Sequence, residues 1–252
     1  MRKRFDDKTA IVTGAGSGIG RYSALAFGQE GANVIVSDIN IQGGEETVHM
    51  IQESKGKAQF VQCDVSQSAQ VEKLIEATIQ TYDRLDYAVN NAGVSMHPAT
   101  TVEIDETEWD RIIGINLKSV WLCMKYEIPQ MQKIGGGAII NISSLAGIRG
   151  KEGTLAYTAS KHGVIGMTKT AALEYAKKGI RINAICPGLT ESGMTAGLDH
   201  YPDLAKQLIA QIPMGHMGKS QNIADAVVWL CDSTASFITG HVLVVDGGQT
   251  IR

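Results

Sequence analysis

Short apolar runs alternate along the chain with longer stretches in which apolar positions recur every three or four residues. Thr9-Ala10-Ile11-Val12-Thr13 and Asn33-Val34-Ile35-Val36-Ser37 are the first two runs, each of strand length. Five more follow at 59–63, 85–90, 138–143, 181–186 and 241–245, separated by helical patterns such as 71–82 and 155–177. A strand that is apolar at nearly every position has both faces buried, which is the situation of a parallel sheet covered by helices on each side. The pattern predicts an α/β fold: one doubly wound domain over residues 1–252, with a seven-stranded parallel sheet flanked by helices. No linker-like stretch or internal repeat divides it. The least regular segment, 190–217, holds Gly193, Gly197, Pro202, Pro213 and Gly215. A long loop beyond the C-terminal end of a strand in such a sheet borders the ligand crevice, so 190–217 is expected to be a lid.

The first apolar run ends in Thr13-Gly14-Ala15-Gly16-Ser17-Gly18-Ile19-Gly20, and a helical pattern follows over 21–30. Glycines in such a turn let the backbone approach a pyrophosphate, whose charge is met by the helix N-terminus. The turn departs from Gly-x-Gly-x-x-Gly because Ile19 holds the third glycine position, but Gly14-x-x-x-Gly18-x-Gly20 is another dinucleotide-binding spacing. Asp38 closes the second run, where an acidic side chain accepts from the hydroxyls of an adenosine ribose. The alternative is a helix N-cap or turn aspartate, since Asp38-Ile39-Asn40 also suits a helix start. A carboxylate at this place repels a 2′-phosphate, and neither Ser17 nor Ser37 brings a compensating cation, so NAD is expected over NADP. Arg21 follows the turn directly, within reach of either a phosphate or the helix surface.

Tyr157 and Lys161 stand four residues apart in Tyr-Thr-Ala-Ser-Lys, and an i,i+4 pair on a helix shares one face. A phenol has a reference pKa of about 10, and an adjacent fixed ammonium favours its ionised form. Lowering it by roughly two to three units requires about 3–4 kcal/mol of differential stabilisation, which a desolvated ammonium beside a positive nicotinamide ring can supply and an exposed lysine cannot. The helix carrying Tyr157 must therefore face the crevice, with Ser144 upstream as a second hydroxyl. His162 is rotated roughly 140° from Tyr157 and reads as a packing or surface residue. His97, Arg149, Lys151 and Glu152 read as loop residues near the rim.

The net charge of -3 gives no electrostatic case for nucleic acid or an anionic membrane. Arg2-Lys3-Arg4 reads as a solvated tail. The four cysteines lie far apart with no Cys-x-x-Cys pair, so buried reduced thiols are expected and no metal site. No apolar run reaches the ~18 residues of a membrane span, and no signal-peptide core follows Met1. A cytoplasmic protein is expected.

Taken in order, the turn 13–20, Asp64-Val65, Asn90-Asn91-Ala92-Gly93, Asn116, Ser144, Tyr157 with Lys161, Pro187-Gly188 and Val245-Asp246-Gly247-Gly248 resemble a classical short-chain dehydrogenase/reductase over essentially the whole chain. The resemblance implies a Rossmann-type fold and a role for each matching residue. Tyr157 would be the acid–base, and Lys161 would bind the nicotinamide ribose and lower the tyrosine pKa. Ser144 would hydrogen-bond the reacting oxygen, and Asn116 would hold a water linking Lys161 to solvent. Gly14, Ser17, Gly18, Ile19, Gly20, Asp38, Asp64, Val65, Asn91, Ala92 and Gly93 would line the cofactor together with Tyr157 and Lys161. Pro187, Gly188, Thr190 and Ser192 would lie near the nicotinamide; the family often has threonine where Ser192 stands, and the hydroxyl is kept.

The resemblance further implies a homotetramer that uses the Tyr157 helix in subunit contacts, where Thr170-Ala171-Ala172-Leu173 allows close packing. The expected function is an NAD(H)-dependent oxidoreductase interconverting a secondary alcohol and a ketone. Met194, Leu198, Met214 and Met217 in the lid point to an uncharged, apolar or cyclic small-molecule substrate. One alternative is a 3-oxoacyl-[acyl-carrier-protein] reductase, which usually goes with NADPH and a basic docking surface; Asp38 and the negative net charge oppose it. The other is a non-catalytic nucleotide binder, in which loss of the tyrosine, lysine or serine is expected, and all three are present.

Overall fold

In chain order the elements are β1 (Thr9–Thr13), α1 (Gly18–Gln29), β2 (Asn33–Asp38), α2 (Ile41–Glu53), β3 (Lys57–Gln62), α3 (Ser68–Tyr82), β4 (Tyr87–Asn90), α4 (Glu106–Ile113), α5 (Ser119–Lys133), β5 (Gly137–Ile142), α6 (Leu155–Tyr175), β6 (Ile180–Pro187), α7 (Pro202–Ile209), α8 (Ser220–Cys231) and β7 (Val242–Val245). The computed structural model describes residues 3–251. Of the N-terminal basic triplet, Arg2 lies outside the described residues, while Arg4 pairs with Glu30 at 2.6 Å.

The seven strands form one parallel sheet in the order β3-β2-β1-β4-β5-β6-β7. Successive strand side chains point to opposite faces, and the sequence supplies an apolar residue for each. Ala10, Val12, Val34, Val36 and Ile140 pack with Phe27 of α1 and Ile223, Ala224 and Val227 of α8. Ile11, Ile35, Ala88, Ile139 and Ile182 pack on the other face with Leu74 of α3, Leu122 of α5 and Val164 of α6. The continuous apolar runs are thus strands buried on both sides. The strand that follows this rule least is β3, whose residues are exposed or half-buried because it is a sheet edge. β7, the other edge, is half-buried throughout. The strand order reverses between β1 and β4, and a doubly wound sheet opens its ligand crevice at such a reversal. The glycine turn after β1, Asn90-Asn91-Ala92-Gly93 at the end of β4 and Ser144 after β5 all lie at that end of the strands.

One buried acid sits under this crevice without belonging to it. Glu127 of α5 is buried and accepts from Asn90 Nδ2 at 3.2 Å, while the same amide donates to Asn141 Oδ1 at 3.0 Å and Asn141 Nδ2 donates to Thr168 Oγ1 at 2.9 Å. Burial pushes the Glu127 carboxyl up to about 8, with the Asn90 amide opposing. A neutral Glu127 brings an O–H to a cluster in which Asn90 Oδ1 is a buried acceptor with no partner. The folded chain therefore retains a proton that an unfolded glutamate releases near pH 4.3. Its contribution to stability is complete below that pH and is lost as pH rises toward about 8. For Glu127→Gln, which cannot ionise, the melting temperature relative to the parent protein is expected to rise between pH 5 and pH 9. A difference identical at both pH values would show that Glu127 does not titrate in this range.

Candidate active site

Gly14 and Gly18 adopt positive φ (63° and 51°), a conformation that side-chain-bearing residues rarely take. A Cβ on Gly20 would run into the Gly14 carbonyl, so the turn closes onto its own helix only because glycine is there. The turn is braced from β4: Asn91 Nδ2 donates to the carbonyls of Thr13 (2.9 Å) and Gly14 (3.1 Å), and Thr13 Oγ1 accepts from the amides of Asn91 and Ala92. Helix α1 starts at Ser17 with no side-chain cap and no acid in its first turn. By contrast α2 is capped by Asn40 and α4 by Asp105. An uncapped helix start behind a glycine turn presents free N–H donors and a positive dipole end to an anion.

The Asp38 carboxylate accepts from Gly16 N (2.8 Å) and Asn40 N (2.9 Å). Asn40, not Asp38, caps α2, which removes the cap reading of Asp38. A carboxylate has about four lone-pair sites, so two remain for ribose hydroxyls. Asp64 Oδ1 accepts from Ser66 N and Oγ, and the next residue, Val65, is buried. At the other end of the crevice a Cβ on Gly93 would approach Asn116 Oδ1 at 3.1 Å and Lys161 Nζ at 3.6 Å, so this glycine keeps the space above the lysine open. Positive-φ glycines, an uncapped helix, a half-satisfied carboxylate and an open floor fit a dinucleotide with its pyrophosphate on α1.

Tyr157 lies in the first turn of α6, with Lys161 one turn on. Lys161 is buried, donates from Nζ to Ile142 O (3.0 Å) and lies 5.7 Å from the Tyr157 ring centroid. Burial lowers the ammonium to about 8. Burial also raises the Tyr157 phenol, partly offset by a hydrogen bond with Ser144. In the chain alone, desolvation therefore outweighs the expected lowering of the phenol by Lys161. Ser144 sits just past β5, its Oγ accepting from Ala146 N at 3.1 Å. Asn116 lies in a π-helical turn, Gly114–Lys118, between α4 and α5. Such turns add one residue to a helix and often occur at functional sites. Its amide clasps the Val94 backbone, accepting from N (2.8 Å) and donating to O (2.9 Å).

Beyond β6, Gly188 packs against Asp246, where a Cβ would lie 2.7 Å from Asp246 Cα. Thr190 bridges Gly218, and Thr195 Oγ1 accepts from Ser192 N and donates to Thr190 O. Ser192 reaches the glycine turn, with its Cβ 3.2 Å from where a Gly18 Cβ would be. The segment 190–217 is less irregular than its composition predicts: it contains a 3-10 turn, Ala196–His200, and α7, which Pro202 and Asp203 start as good first-turn residues. Met194, Tyr201, Leu204 and Met214 on it are exposed. His162 is exposed and its Nδ1 meets Thr158 O, and His97, Arg149, Lys151 and Glu152 are exposed loop residues.

Two residues at the site carry no signal in the sequence taken alone. Ser160, fully buried, donates to Tyr157 O at 2.7 Å and accepts from Asn116 Nδ2 at 3.4 Å, tying the π turn to α6. Cys186 stands just before Pro187, and its thiol meets the Ser143 hydroxyl and the Ser144 amide beside Lys161. All four cysteines are buried and unpaired.

A doubly wound sheet with a glycine turn and an uncapped helix start at its crevice is the architecture of a dinucleotide-binding protein. A family model described as Enoyl-(Acyl carrier protein) reductase matches residues 14–250. The chain is 39% identical to the cyclohexanol dehydrogenase of Acinetobacter sp. (strain SE19) over 252 residues, covering 100% of this chain and 98% of the relative. It is 39% identical to the 3-oxoacyl-[acyl-carrier-protein] reductase FabG of Thermotoga maritima over 249 residues, 98% of this chain and 100% of that one. Among solved structures, levodione reductase superposes with a TM-score of 0.95 at 34% identity, covering 98% of this chain and 99% of that chain. A structure described as a putative 2-deoxy-d-gluconate 3-dehydrogenase from Agrobacterium tumefaciens with bound NADP gives 0.91 at 33%, covering 98% of each chain. The protein belongs to the classical short-chain dehydrogenase/reductase family, whose members use a nicotinamide cofactor.

Proposed function

We propose that this protein interconverts a secondary alcohol and a ketone with NAD(H), acting on an uncharged small molecule that is apolar or cyclic. The observation that carries the reading is the convergence of Tyr157, Ser144 and Lys161 at the open end of the crevice whose far end holds the Asp38 carboxylate. When bound, the nicotinamide takes up or gives the hydride. The chain's own residues handle the proton and the oxygen. In the oxidative direction the Tyr157 phenolate removes the hydroxyl proton, and Ser144 Oγ donates to the oxygen on which charge develops. Lys161 remains largely protonated at neutral pH with its pKa of about 8. An ionised phenol and this ammonium each offset the other's cost of burial, which is the means of bringing Tyr157 within working range. Lys161 also anchors the nicotinamide ribose, and Asn116 orders the water that connects the lysine to solvent.

Asp38 supports NAD over NADP, because both its oxygens are fixed by backbone amides and its charge cannot move away from a 2′-phosphate. Pro187, Gly188, Thr190 and Ser192 border the nicotinamide end, and 190–217 closes over substrate as an apolar lid. A relative named for cyclohexanol supports a ring alcohol as substrate. The FabG relative supports a second reading, a 3-oxoacyl-[acyl-carrier-protein] reductase. Incubation with NAD or NADP and a panel of secondary alcohols, cyclohexanol included, is expected to give NAD-linked absorbance at 340 nm. Exclusive NADPH-dependent reduction of 3-oxoacyl thioesters would replace the first reading with the second, and no turnover with either panel would leave a nucleotide binder.

A cytoplasmic homotetramer completes the reading. Among the described residues no helix is long and apolar enough to cross a membrane. Trp121 of α5 and Leu173 of α6 are exposed, as are Trp229 and Phe237 near the edge strand β7. Large apolar side chains left exposed on helices are of the kind that subunit contacts cover. Light scattering is expected to give a mass near four times the 27.0 kDa chain, and a monomer would remove the proposal.

A further inference from the structure

Arg21 follows the glycine turn, yet its guanidinium faces α2. Its side chain is 20% exposed. Nη2 donates to Gly16 O (2.5 Å) and to Glu46 Oε2 (2.7 Å), and Nε donates to Thr47 Oγ1 (3.0 Å). Thr47, fully buried, has its hydroxyl within hydrogen-bond distance of both Ala15 O (2.8 Å) and Gly43 O (2.9 Å), which share its one proton. The carbonyls of Ala15 and Gly16 are thus both held from the α2 side. Close approach is possible because Gly43 lacks a side chain: a Cβ there would sit 2.8 Å from Gly16 O. The amide of the same Gly16 donates to Asp38 Oδ2 at 2.8 Å. A continuous path of hydrogen bonds therefore runs from Glu46 and Thr47 through Arg21 and Gly16 to the carboxylate.

We propose that Arg21 is a positioning residue for cofactor selectivity, fixing the Gly16 backbone that in turn holds Asp38 where it accepts from a ribose hydroxyl. The inference rests on the NAD reading above. A selecting carboxylate works by place as well as by charge: once Gly16 moves, Asp38 swings, the hydrogen bonds to the 2′-hydroxyl loosen, and repulsion of a 2′-phosphate eases with distance. A lysine keeps a donor for Gly16 O but loses the fork that joins Gly16, Glu46 and Thr47.

The test is fluorescence titration of NADH and NADPH into the parent protein, Arg21→Met, Arg21→Lys and Thr47→Val, each first checked for a cooperative thermal melt. In Arg21→Met the NADH dissociation constant is expected to rise about tenfold, with NADPH changing far less, so that the ratio of the two narrows. Arg21→Lys is expected to recover part of the ratio, and Thr47→Val, which acts on the same path from its other end, to narrow it in the same direction. If the parent prefers NADH but the variants weaken both dinucleotides equally, Arg21 merely stabilises the turn and the inference falls alone. A parent protein with no preference for NADH would overturn the cofactor reading itself.

Discussion

Tyr157→Phe is expected to lower kcat by at least about a thousandfold while leaving NADH binding nearly unchanged. A positioned acid–base contributes roughly 10²–10⁴-fold, and the substitution removes only the oxygen that exchanges the proton. The ring stays, so the packing of the first turn of α6 is preserved. The glycine turn, Asp38 and the Asn91 brace share no hydrogen bond with the phenol, so the far half of the dinucleotide site is untouched. Absorbance at 340 nm measures turnover, and quenching or enhancement of NADH fluorescence measures binding. Residual activity above about a tenth of the parent would rule out the phenol as acid–base, since no proton-transfer role is worth so little.

Asp38→Ser is expected to narrow the preference for NAD over NADP by roughly tenfold to a hundredfold, the range of one lost hydrogen bond to a charged group. Two effects act together. The ribose loses a charged acceptor, which weakens NAD, and the 2′-phosphate loses a negative neighbour, which strengthens NADP. A serine hydroxyl is too short to replace both bonds made by the carboxylate to Gly16 N and Asn40 N. Ratios of kcat/KM for the two cofactors in parent and variant give the answer. A parent enzyme already faster with NADPH would sink the assignment, and the bound NADP of one structural neighbour makes that comparison informative.

The fold was largely legible because parallel strands between two helical layers need apolar residues on both faces, and runs such as 9–13 and 138–143 announce this directly. Boundaries were less so. β3 begins at Lys57, ahead of the apolar run at 59–63, because an edge strand pairs on one side only and tolerates polar residues. The helices within 190–217 were obscured by glycines and prolines that break most helices, although Pro202 at a first turn starts one. At the candidate site, residues whose chemistry is local stand out by spacing alone: the glycine turn, Asp38, and Tyr157 with Lys161. Those whose meaning comes from a distant neighbour could not. Glu127 lies in a mixed helical sequence where a carboxylate ordinarily faces water, and only its packing against Asn90 and Asn141 shows a buried acid. Ser160 and Cys186 gain significance only when α6, the π turn and β6 meet. The pKa of Tyr157 was the clearest departure, because burial penalises phenolate and ammonium alike until the two are ionised together.

The bridge between Thr190 and Gly218 closes the segment between them into one excursion from the sheet. Leu189 O accepts from Gly218 N at 3.0 Å, and Glu191 N donates to Gly218 O at 2.8 Å, so the excursion leaves and returns at one stapled point, with a second tie where Met214 N donates to Gly247 O at 3.2 Å. Its exposed side chains, Met194, Tyr201 and Leu204 among them, take no part in the register of any strand, whereas Ser192 lies against the glycine turn and Ile212 is buried against Gly247. If the segment is the proposed substrate lid, exchanging those exposed side chains is expected to change substrate preference while Tyr157, Ser144 and Lys161 stay in place.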